Sequence, residues 1–211
     1  MSAGDNWQPG QESAADVAPT FIVTGFMRSG TSMMMRALYN GMGQRVPMVV
    51  SNENVARLNS GDYLPNHEYL EPSLRDFETP EFPRKHEGKL LKTLMAGMHP
   101  LWPMRGGIHV VQMWRDPKNI RDSWEAASAT MGHPPAWLPE GYFVRMAACS
   151  AMLRNRRDVL SHTDILFPEI VADPRTHFTY LMQQGWPLTD IDAACRTVEP
   201  TRVRHEHLHR E

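Results

Sequence analysis

Short apolar runs alternate along the chain with longer stretches in which apolar positions recur at helical spacing, the pattern of strands alternating with helices. Thr20 to Thr24 is apolar at its centre and stops at Gly25, which predicts a buried parallel strand. After Gly30 the period changes: Met33, Met34, Ala37 and Leu38 fall on one helical face, with Gly41 and Gly43 as stops. Met at that spacing beside a sheet reads as gap-filling core. Further strands are expected at Val46 to Val50, Lys89 to Leu94, Ile108 to Trp114 and Asp164 to Phe167. Further helices are expected from about Lys118 to Thr130, from Tyr142 to Leu160, from Asp173-Pro174 to about Gln184, and near Thr189 to Thr197. The helix from Tyr142 carries Phe143, Met146, Ala147, Ser150, Leu153 and Val159 on one side, while Arg145, Arg154, Arg156 and Arg157 read as a solvated stripe. Together these elements predict a three-layer α/β fold with a mainly parallel central sheet.

Composition sets the outer limits. A chain of 211 residues with 41% apolar content can bury one substantial core. We therefore expect one domain over residues 19–211, preceded by a loose tail over 1–18. The tail has neither a basic start nor an apolar run, so it reads as neither signal peptide nor anchor. No window approaches the length of a membrane-spanning apolar helix, and the expected location is cytoplasmic. A net charge of −2 and a pI near 6.6 supply no global field for nucleic acid or an anionic membrane. Cys149 and Cys195 lack metal-ligand or redox spacing and read as reduced thiols. Residues 44–88 hold Pro47, Pro65, Pro72, Pro80 and Pro83, and such an irregular segment within a compact domain suits substrate selection.

Local chemistry concentrates after the first strand. Gly25-Phe26-Met27-Arg28-Ser29-Gly30-Thr31-Ser32 joins strand to helix with the glycine spacing of a Walker A loop. Backbone N–H groups at a helix start favour an anion. Thr31, however, stands where the lysine should follow the second glycine, and the cation lies inside the loop at Arg28. A second strand end carries Arg115-Asp116-Pro117, with Ser123 eight residues after the arginine. The arginine would offer a planar fork to a phosphate and the serine a hydroxyl.

In these two motifs the sequence resembles the PAPS-dependent sulfotransferases, which use 3′-phosphoadenosine 5′-phosphosulfate. Phe26 to Ser32 is similar to the family's 5′-phosphosulfate loop, with Met27 in place of the usual proline, and Val110 to Pro117 with Ser123 resembles its 3′-phosphate motif. The resemblance implies a P-loop NTPase-like fold and PAPS as donor. It assigns Arg28, Ser29, Gly30, Thr31 and Ser32 to the 5′ end, Arg115 and Ser123 to the 3′-phosphate, and Arg28 with Lys92 to catalysis, with no metal. Phe167 to Pro174, and the strand ending Leu91-Lys92-Thr93-Leu94, extend the likeness, although Leu94 occupies the place of a histidine base in cytosolic members. The family's Gly-rich cofactor-binding tail is also missing, which points towards the shorter bacterial or phage branches.

The expected activity is sulfuryl transfer to a hydroxyl or amine of a small molecule or glycan. A P-loop kinase or nucleotide hydrolase with a displaced lysine, or a catalytically lapsed nucleotide-binding module, remain as alternatives. For the base, Glu53 stands 25 residues after Arg28, as the glutamate does in branches acting on glycans or tyrosines. Glu68 and Glu71, in a Pro-Asn-x-x-Tyr-x-Glu stretch like that of bacterial members, are its rivals, and any of them also reads as a solvated loop carboxylate. The scattered His67, His86 and His99, and His205, His207 and His209 near the C-terminus, read as surface or solvated groups rather than a base or a metal site. The acceptor and the oligomeric state are not encoded in any motif.

Overall fold

The computed structural model describes residues 17–49, 79–94, 103–131 and 141–198, the side chains of 127–131 excepted. The element order is β1 (Thr20–Gly25), α1 (Thr31–Gly41), α2 (Phe82–His86), β2 (Leu90–Leu94), β3 (Ile108–Trp114), α3 (Pro117–Met131), α4 (Tyr142–Arg154), β4 (Val159–Leu166), α5 (Phe167–Ala172), α6 (Pro174–Gln183) and α7 (Ile191–Thr197).

The four strands form an all-parallel sheet in the order β2-β1-β3-β4. Because side chains alternate along a strand, each central strand contributes to two cores. Phe21, Val23, Leu90, Val111 and Met113 meet Met34, Met35, Leu38, Phe178, Leu181 and Trp186 on one face. Ile22, Leu91, Ile108 and Val110 meet Phe82, Cys149 and Leu153 on the other. The sheet is thus the middle of three layers, and burial on both faces explains why β1 and β3 read as continuous apolar runs.

Register places the functional ends together. Gly25 of β1 lies opposite Leu94 of β2 and Met113 of β3. The helix following β1 covers one face, whereas α4, between β3 and β4, covers the other. Adjacent parallel strands whose connections leave in opposite directions open a crevice at their carboxyl ends, and here the loops after β1 and β3 flank that crevice.

Several elements differ from the sequence expectation. The helix expected to reach Leu160 ends at Arg154, and Val159 already belongs to β4. Arg156 grips Asp158 through Nε and Nη2 at 2.9 and 2.7 Å. Asp158 in turn accepts the Met104 N–H at 3.0 Å and offers its carbonyl to Ile108. This turn fixes the start of β4 beside β3 and stops the helix that the apolar spacing alone would continue. Consequently Phe143 and Ala147, expected on the core side of α4, are exposed, and the buried side is Tyr142, Met146, Cys149, Ser150 and Leu153. The final strand, expected over Asp164 to Phe167, ends at Leu166, because Phe167-Pro168 begins α5. Within the segment expected to be irregular, Pro83 opens the short helix α2. In place of the strand expected from Val46, Met48 makes a single parallel bridge to Leu90.

Candidate functional site: two guanidinium groups at the loop after the first strand

The loop between β1 and α1 is built around backbone conformations that few residues adopt. Gly30 has φ 97°, and a Cβ there would lie 2.3 Å from the Phe167 ring. Arg28, a non-glycine residue, is left-handed as well, at φ 64°. Strain of this kind persists only where surrounding contacts over-determine it. Ser29 supplies one such contact: fully buried, it donates its hydroxyl to the Phe26 carbonyl at 2.7 Å, while its N–H donates to the same oxygen at 3.1 Å. Helix α1 then begins at Thr31 with no side chain capping it. The positive end of the helix at this start favours an anion.

Arg28 and Arg115 meet here. The Arg28 Nε donates to Ser123 Oγ at 3.2 Å, across the crevice to α3. From the end of β3, Arg115 donates through Nη1 to the Arg28 carbonyl at 3.0 Å and lies over the Phe167 ring, 4.5 Å from its centroid. Both Arg115 and Ser123 are buried. Burial, and then the charge of Arg115, hold the Arg28 guanidinium below its ordinary pKa. On the other side of the loop, Lys92 of β2 is 5% exposed and donates from Nζ to Ser32 Oγ at 3.3 Å. Three cationic side chains from three strand ends thus converge on one loop. Among the described residues no group of three or more His, Cys, Asp or Glu is arranged to hold a metal ion.

Of the residues singled out from sequence, Arg28, Ser29, Gly30, Thr31, Ser32, Lys92, Arg115 and Ser123 all lie in this crevice or its walls. Thr31 is buried beneath the loop, its methyl 3.1 Å from where a Cβ on Gly25 would sit. Leu94 ends β2 and brings no titratable group. The proposed bases Glu53 and Glu71, together with Glu68, His67, His99 and the C-terminal histidines, lie outside the described residues. His86 is buried against Phe82, with ring centroids 4.5 Å apart. Cys149 is buried and Cys195 half-buried, both free; burial pushes the Cys149 thiol up to about 11.

Sequence reasoning missed Phe167, which supports both Gly30 and Arg115, because an apolar residue at a strand end reads as core. It also missed Tyr142, half of an edge-to-face pair with Phe26 at 5.0 Å, whose phenol burial pushes up to about 12. Asp164 carried a signal that could have found it: an acidic residue is unfavourable inside a strand, so its presence there calls for partners.

Solved structures that resemble this chain over most of its length include the following three. Retinol dehydratase, solved with androsterone and the inactive cofactor PAP, is 11% identical over 84% of this chain, with a TM-score of 0.46. This chain spans 62% of that protein's length. The sulfotransferase STF1 from Mycobacterium tuberculosis H37Rv is 14% identical over 88% of this chain and 72% of its own, with a TM-score of 0.47. A sugar kinase from Janibacter sp. HTCC2649 is 14% identical over 84% of this chain and 98% of its own, with a TM-score of 0.40. These likenesses, distant in both sequence and superposition, say nothing of activity. No protein-family model matches the chain, and no curated protein matches it in sequence.

Proposed function

We propose that the chain is a sulfotransferase that takes the sulfuryl group of PAPS and delivers it to a hydroxyl or amine of a small molecule or glycan. The observation that carries this reading is the meeting of Arg28 and Arg115 at an uncapped helix start, with Ser123 accepting from Arg28 across the crevice. Two like charges in a buried crevice repel, and each loses hydration. An anion with charge at two places offsets both costs, and a nucleotide phosphorylated at its 5′ and 3′ positions has that form.

PAPS supplies an activated sulfuryl group on a 5′-phosphate leaving group. The α1 amides and the Thr31 and Ser32 side of the loop would hold the 5′ end, and Arg115 with Ser123 the 3′-phosphate. Sulfuryl transfer, like phosphoryl transfer, needs in-line positioning and stabilisation of charge on the leaving oxygen. Arg28 and Lys92, fixed on either side of the loop, suit that task without reorganisation. The acceptor's proton requires a base; Glu53 or Glu71 from the acceptor-side segment remain the proposals for it.

One contact favours a second reading. Lys92 reaches Ser32 from the neighbouring strand and so brings a lysine to the loop that lacks one at Thr31, as a kinase or nucleotide hydrolase would need. Thermal melting separates the two. Sulfotransfer predicts that PAP raises the melting temperature far more than ATP with magnesium does, whereas the reverse order, with ATP turnover lost in Lys92→Ala, would replace it.

A further inference from the structure

The carboxylate of Asp164, on the α4 side of β4, gathers three donors. It accepts the Trp114 indole N–H at 2.6 Å and the Ser150 hydroxyl at 2.9 Å on Oδ1. On Oδ2 it receives the guanidinium of Arg154. His162 Nδ1 stands 3.9 Å from the same oxygen. In register Asp164 lies opposite Gln112, so its bond to Trp114 runs two residues further along β3, to the last residue of the strand. One carboxylate therefore ties the end of β3 to β4 and to α4.

The next residue is Arg115. Alternation sends its side chain to the face opposite Trp114, where it meets the Arg28 carbonyl and the Phe167 ring. A strand end pinned through one residue on one face leaves little freedom for its neighbour on the other. Beyond Trp114 the chain leaves the β3–β4 pairing and enters α3 at Pro117. The Asp164–Trp114 bond anchors the last residue of β3 on that face before the chain turns. A carboxylate acceptor makes it a strong, directional one.

We infer that Asp164 is a positioning residue: through Trp114 it sets the aim of the Arg115 guanidinium, and so governs selectivity for a nucleotide bearing a 3′-phosphate. The inference rests on the reading of Arg115 and Ser123 as the 3′-phosphate site.

The test is calorimetric titration of the full chain with PAP and, separately, with adenosine 5′-monophosphate, which lacks the 3′-phosphate. Asp164→Asn and Trp114→Phe, the second of which deletes only the indole donor and keeps a ring, are each compared with wild type. Each variant should weaken PAP about tenfold, the share of one hydrogen bond to a charged group, and leave adenosine 5′-monophosphate unchanged. On an Arg115→Ala background the same substitutions should have no further effect on PAP. Equal losses for both nucleotides, or a loss that persists without Arg115, would reduce Asp164 to a general structural role. PAP selectivity unchanged in a folded variant would overturn the inference alone. A wild type that does not prefer PAP to adenosine 5′-monophosphate would overturn the 3′-phosphate reading and the inference with it.

Discussion

At the scale of single residues, the loop is held by features that ordinary side chains could not replace. Gly30 combines a left-handed φ of 97° with a Phe167 ring where a Cβ would go. Gly30→Ala should therefore destabilise the fold by about 1 to 3 kcal/mol or more, the cost of a strained backbone with a steric clash added. Urea unfolding at constant slope checks this, and an unchanged midpoint would mean that the loop gives way easily. In the proposed reaction Arg28 stabilises charge on the leaving oxygen. Arg28→Ala should lower kcat by about 10² to 10³, as loss of a preorganised donor does, and steady-state kinetics with PAPS would show it. The guanidinium of Arg28 was legible in sequence because a cation inside a glycine-spaced loop is unusual. The ring of Phe167 was not, since its partners, Arg115 and Gly30, are brought to it only by the fold.

At the scale of elements, β1, β3 and α1 were legible because burial on both sheet faces, or one helical stripe, leaves an unambiguous pattern. The junction of α4 and β4 was not, because Val159 continues the helical spacing and only the Arg156–Asp158 turn breaks it. The strand β4 also holds a pH-sensitive group. Burial, followed by the opposed charges of Asp164 and Arg154, leaves His162 below its ordinary pKa of 6.5, and no hydrogen-bond partner meets either ring nitrogen among the described residues. Burial likewise lowers His109, against a contact from Gln184. A depressed folded pKa means that the unfolded chain takes up protons first as pH falls. The stability of the neutral form is therefore present above 6.5 and is lost as pH drops through 6.5 towards the folded values. Melting temperature should fall between about pH 7.5 and about pH 5.5, and His162→Leu should flatten that slope. A variant with the wild-type slope would show that His162 is not the group responsible.

At the scale of the whole molecule, strand order decides which sequence motifs meet. The loop after β1 and the arginine after β3 are separated by 87 residues and become neighbours because β3 pairs directly with β1 in parallel. Each motif was legible in its order but not their contact, and Lys92, assigned to the site by resemblance, meets Ser32 only because β2 pairs with β1. The acceptor side was the least legible part, because its candidate carboxylates lie in a segment without periodicity or paired motifs, so nothing in the sequence ranks one above another on physical grounds. The proposed donor end is a clamp in which Arg28, Arg115 and Ser123 hold a nucleotide with phosphates at both 5′ and 3′ positions. The decisive measurement is a crystal structure of the protein with PAP. The 5′-phosphate is expected against the start of α1 beside Arg28, and the 3′-phosphate within hydrogen-bonding distance of Arg115 and Ser123. A PAP molecule seated elsewhere, or one whose 3′-phosphate faces away from Arg115 and Ser123, would rule the clamp out.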